Sequence, residues 1–152
     1  MVDLAEQAKA LADGVEAALP GWVVRSVDRI HRAWDGPPPA AVVEAARRAA
    51  AAAVADVVPR LRALLDADID EQATTPLSLV RGAVLYPTGV LRAAGIPPAR
   101  RDAVDEAMFP DDDYGLTPAT FADVDPALVD SGLAWGAAKA WAHRRRHGTG
   151  GT

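Results

Sequence analysis

Apolar residues recur along this chain at intervals of three and four. Leu4, Ala8, Leu11, Val15 and Leu19 set the pattern, with Glu6, Lys9, Asp13 and Glu16 mostly off the stripe. That period lays the apolar side chains along one face of an α-helix. Nowhere do β-branched residues alternate cleanly with polar ones, so no strand is expected. A chain restricted to this one period must bury its stripes helix against helix.

Proline and glycine then divide the stripes. Pro20-Gly21 is expected to end the first helix, and a second stripe follows in Val23, Val27, Ile30 and Trp34. Asp35-Gly36-Pro37-Pro38-Pro39 reads as a stop and linker. From about Pro39 to Ala67 the alanine-rich sequence favours one long helix, with Pro59 expected to kink or break it near Ala55 to Val58. Thr75-Pro76 is a cap and first-turn pair, Tyr86-Pro87 a predicted kink, and Gly95-Ile96-Pro97 a helix stop. A short helix is predicted over Pro98 to Met108, and Phe109 to Gly115 reads as a loop. Thr117-Pro118 and Asp125-Pro126 are two further starts, and the broad apolar arc of the last helix predicts that it is well buried. The sum is an all-α chain, an irregular orthogonal bundle of five to seven helices, several of them short and proline-capped. Its 152 residues suit one helical domain over 1–147 and a disordered tail over 148–152.

Half the residues are apolar but only eight are aromatic, so Ala, Val and Leu must build the core. Cysteine is absent, which excludes disulfides, thiolate metal sites and cysteine nucleophiles. The start lacks the basic flank and apolar run of a secretory signal, and the longest apolar run, Ala49 to Ala55, is too short to span a bilayer. A cytoplasmic location follows as the expectation, with no membrane association.

Charge is distributed unevenly. Residues 1 to 101 carry twelve basic and twelve acidic side chains, whereas 102 to 130 carry nine acids and no base. Lys139, Arg144, Arg145 and Arg146 are the only charged residues after that. Three arginines at a helix end contact phosphate weakly, but a net charge of −5 and the acidic segment upstream oppose nucleic-acid binding. The basic end is expected to pack near the acidic 102–130 segment of the same chain.

The usual signatures of catalysis fail one by one. None of the three serines, Ser26, Ser78 and Ser131, sits in a glycine-flanked elbow. Gly148-Thr149-Gly150-Gly151 has no helix after it and cannot cradle a phosphate. His143 and His147 have metal-site spacing, yet Arg144 to Arg146 between them would repel a cation, so they read as a solvated helix end. A calcium loop starting at Asp111 would need glycine at Leu116 and glutamate at Ala122, and has neither. His31 reads as a surface or boundary residue. Arg25, Arg29 and Arg32 align on one face in a row able to grip phosphate, but Asp28 offers Arg32 an ordinary pair, so a solvated face is expected.

The stretches Tyr86 to Leu91, Phe109 to Pro118 and Trp135 to Trp141 resemble small helical proteins of actinobacteria. That resemblance implies a host and no activity, and no catalytic residue is carried over from it.

With no nucleophile, metal set or phosphate loop, the sequence favours a non-enzymatic cytoplasmic interaction or accessory protein. Its contact surface for a protein partner would be the acidic 102–130 region, with Asp111, Asp112, Asp113 and an exposed Tyr114 at its centre. The alternative is a small-ligand pocket between helices, lined by Tyr86, Trp135 and Trp141 with an arginine for an anionic group. Enzyme action by carboxylates alone stands third. No cofactor and no metal is expected.

Overall fold

The computed structural model describes residues 3–68, 74–100 and 102–148. It is all-α, with no strand among the described residues. The elements are α1 (Leu4–Asp35), α2 (Ala40–Asp66), α3 (Pro76–Arg81), a 3₁₀ turn (Gly82–Val84), α4 (Leu85–Ala93), α5 (Ala103–Met108), α6 (Phe121–Val124), α7 (Leu128–His143) and a closing π-turn (Arg144–Gly148). The remainder of the expected tail, 149–152, lies outside the described residues. Among the described residues no helix is long and apolar enough to cross a membrane.

Two long helices make the frame. Asp3 caps α1, its carboxylate accepting from Ala5 N and Glu6 N. Leu11, Val15, Leu19, Val23 and Val27 then run down its buried face. Against them α2 sets Ala46, Ala50, Ala53, Val57 and Leu61. Its small side chains let the two backbones approach, and this is the most extensive helix contact in the chain. At the surface of the pair, Arg62 reaches back from α2 to Asp13 (2.9 Å) and Glu16 (2.6 Å) of α1. The Asp13 carboxyl is held below its ordinary range, first by Lys9 and then by Arg62.

Neither internal proline breaks its helix. α1 runs unbroken through Pro20-Gly21, and α2 through Pro59, against the expectation of a stop at the first and a kink or break at the second. A proline strands the carbonyl four residues earlier, here Glu16 and Ala55. Both of those residues are exposed, so water can satisfy the stranded oxygens. Apolar burial on either side of each proline then holds both halves to the core: Leu19 and Val23 in α1, Val57 and Leu61 in α2.

The signals at helix ends are honoured more closely. Thr75 caps α3 by accepting from Ser78 N (3.2 Å). The expected kink at Tyr86-Pro87 falls earlier, at the 3₁₀ turn, which leaves Pro87 in the first turn of α4 where no amide donor is needed. Gly95 (φ 79°) ends α4, with Ile96 N returning to Leu91 O at 3.1 Å. The helix expected over Pro98 to Met108 shrinks to α5, capped by Asp102, because Ala99 N is drawn away to Asp113 O (2.8 Å). Likewise the start expected at Thr117-Pro118 moves to Thr120, which caps α6 reciprocally with Asp123.

α7 departs furthest from expectation. It packs Leu128, Trp135 and Ala138 inward, chiefly on α1, but it is not deeply buried: Leu133 is 68% exposed and Val129 is exposed beside it.

Candidate functional site

The acidic loop folds on itself. Asp112 is only 4% exposed, and its carboxylate accepts three hydrogen bonds: from Leu116 N (2.7 Å), Thr117 N (2.8 Å) and Thr117 Oγ1 (2.7 Å). It is the internal cap of the loop. Tyr114 was expected at the surface, and the structure corrects this: it is 4% exposed, with its hydroxyl donating to Ile96 O at 2.7 Å. The chain turns back at Gly115 (φ 69°), which carries the ring into the core beside the helix stop at Gly95. Burial raises the Tyr114 phenol above its ordinary range, with the Asp113 charge adding to the shift. Asp113 itself pairs with Arg92 of α4. Of the four residues proposed as a contact surface, Asp111 is exposed, Asp113 is half-buried and the other two are buried.

The three aromatics of the expected pocket do not converge. Tyr86 is half-buried on α4 and donates its hydroxyl to Asp56 Oδ2 of α2 at 2.7 Å, which raises its own pKa. Trp135 is buried in α7, with its indole N–H unpaired. Trp141 lines an open cleft of about 630 Å³ between the ends of α1, α2 and α7, where Arg145 lies over its ring at 4.9 Å; neither Tyr86 nor Trp135 reaches that cleft. Arg146 pairs with Asp68 at 2.6 Å, at the end of α2 rather than in the acidic segment. The rings of His143 and His147 lie 4.7 Å apart, and no described group of three or more His, Asp or Glu side chains could hold a metal ion.

A better-formed site lies on the arginine face of α1. Because α1 is continuous, Trp22, Arg25, Ser26 and Arg29 share one side of it, at steps of three, one and three. Pro38, Val43 and Ala46 of the α2 start stand opposite, and Asp123 of α6 closes one end. Together they enclose a cleft of about 580 Å³, a size suited to a small molecule. Its walls are mainly apolar and Ser26 is its only hydroxyl. His31 stabilises the turn behind it: buried to 5% exposure, it donates from Nδ1 to Gly36 O (2.7 Å), deeper than the surface or boundary position expected of it.

The charges around the cleft are unequally occupied. Asp28 is taken by Arg32 through two contacts of 2.8 and 3.0 Å. Asp123 accepts Ala119 N (2.9 Å) and Thr120 N (3.0 Å). Arg25 lies across Gly21, where a Cβ would meet its Nη1 at 2.7 Å, and spends one donor on Val124 O (3.0 Å). Arg29 is exposed and forms no ion pair among the described residues. Guanidinium donors of Arg25 and Arg29 thus remain at the rim over an apolar interior, with the Asp123 carboxylate held at one end by backbone amides. The arginine row was visible in the sequence. The closing of the cleft was not, because it depends on α6, about a hundred residues further along.

No family model matches the chain, and no curated protein or solved structure shows significant similarity to it.

Proposed function

We propose that this is a small-ligand-binding protein of the cytoplasm, whose cleft between Trp22, Arg29 and the start of α2 takes a compact organic anion with an apolar body. One observation carries the reading: an apolar cleft of about 580 Å³ meets a row of arginines whose neighbouring acids are already bonded elsewhere. No histidine lines the cleft, and its two carboxylates are engaged by Arg32 and by the Ala119 and Thr120 amides, which supports a reading as a binding site. The acidic segment supports the competing partner-protein reading less well, since Asp112 and Tyr114 serve its internal structure.

The test is titration with benzoate, phenylacetate and octanoate, followed by the Trp22 indole N–H resonance, assigned through Trp22→Phe. Benzyl alcohol is the neutral control. At least one carboxylate is expected to shift that resonance saturably. Arg29→Gln should weaken its binding about tenfold or more, the worth of a charge-assisted hydrogen bond. If no carboxylate moves the Trp22 signal, or the Arg29 variant binds as well as the parent, the assignment fails.

A further inference from the structure

α7 buries Leu128, Trp135 and Ala138 against the bundle and turns a second apolar face outward. That face carries Val129, Leu133, Gly136, Ala137 and Ala140, all exposed. Leu133 is one of the two large apolar side chains at 68% and 38% exposure that sit one turn apart on it. Nothing among the described residues covers these side chains in the single chain.

The ends of the stripe say what covers it. Asp130, Leu133, Ala137, Ala140 and Arg144 follow one another at steps of three, four, three and four, the spacing of a helix–helix seam. The seam opens on an acid and ends on a base, each seven residues from Ala137 and about 21 Å from each other along the helix. Of the three consecutive arginines, Arg145 lies over Trp141 and Arg146 pairs with Asp68, whereas Arg144 is exposed and enters no ion pair among the described residues. A two-fold axis at Ala137 would set Asp130 against Arg144 of a second copy at both ends of an antiparallel pair. Such a surface is complementary to itself, as an isologous contact must be. At its middle, a Cβ built on Gly136 meets nothing within 4 Å, so another backbone has room to approach.

We infer that α7 is the self-association surface of this protein, which pairs antiparallel with a second copy through Leu133, Gly136, Ala137 and Ala140, clasped by Asp130 and Arg144. The occupant is another copy of this chain because the charge order of one α7 is the reverse of what an antiparallel α7 presents. The face lies apart from the Trp22–Arg29 cleft, so the inference does not depend on how that cleft is used.

Sedimentation equilibrium of the full chain, from about 1 to about 500 µM, reads the association directly. A concentration-dependent dimer is expected. Leu133→Glu should weaken it about tenfold or more without changing the melting of the dilute protein, since Leu133 is exposed in the single chain. Asp130→Arg should weaken the dimer through facing like charges, and the double variant D130R/R144D should restore it. Circular dichroism confirms that each variant keeps its helix content. A chain that stays monomeric throughout overturns the inference. So does a dimer indifferent to Leu133→Glu, or a charge reversal that fails to rescue.

Discussion

Tyr114 shows how a side chain that reads as a surface feature becomes a fastener. Its hydroxyl closes on Ile96 O, the residue just past the α4 stop, while its ring fills core space beside Leu116. Asp112, two residues earlier, ties the same loop with three bonds from one carboxylate. Both are predisposed by chemistry: aspartate bonds readily to nearby amides, and tyrosine joins an apolar body to a polar tip. The Tyr114 phenol, raised by burial, has a consequence for stability against pH. A group whose folded pKa lies above its unfolded value stabilises the fold fully below the unfolded value, about 10 for tyrosine, and loses that contribution as pH rises through the folded one. Tyr114→Phe should therefore cost about 1 kcal/mol at neutral pH for the lost hydrogen bond. It should also make the fall in melting temperature above pH 10 shallower than in the parent. Tyr86, raised by its bond to Asp56, keeps part of that fall in place. Melts of parent and variant across alkaline pH decide the matter, and parallel curves would place Tyr114 in water.

At the scale of helices, the local signals were legible and the interrupted ones were misleading. Thr75-Pro76 and Gly95-Ile96-Pro97 mark real ends because a cap is settled by a few adjacent atoms. Pro20 and Pro59 looked like the same punctuation, yet both sit inside helices, since tertiary burial outweighs one lost hydrogen bond whose acceptor stays wet. Nor could the sequence show that α7 would be covered on one side only, because which arc of a broadly apolar helix meets the bundle is decided by α1. Two glycines of α4 and its stop separate backbone conformation from packing. A Cβ at either Gly89 or Gly95 meets nothing within 4 Å, but Gly95 alone has a positive φ (79°). Gly95→Ala should then destabilise by about 1–2 kcal/mol through backbone strain. Gly89→Ala, inside the helix, should stabilise by about 0.5–1 kcal/mol. Urea unfolding of the pair measures both, and effects of the same sign would contradict the assigned end of α4.

Across the whole molecule, the acid-rich third is secured to the frame by something other than its net charge. Arg25 of α1 donates to Val124 O, and Arg81 of α3 donates to Pro118 O (2.9 Å) and Ala119 O (3.0 Å). Side-chain charges along the sequence carry no trace of such side-chain-to-backbone struts, although Asp102, Asp105, Glu106 and Asp111 of the segment do stay exposed. The same silence hid the candidate cleft, whose arginine row was noticed but whose closing wall comes from α6. The basic end was matched with the acidic segment on charge alone. In the fold, Arg146 instead joins the end of α7 to Asp68 at the end of α2, 78 residues away in sequence. Both partners are nearly half exposed, so this pair should contribute only about 0–1 kcal/mol. Its distinguishing mark is salt. Arg146→Ala should melt below the parent at low ionic strength, and the gap should close near 1 M salt, where charges are screened beyond about 3 Å. Arg144→Ala, measured in dilute solution where the chain is single, should melt with the parent at every salt concentration. Were the two variants to behave alike, the tether to Asp68 would not be what sets Arg146 apart.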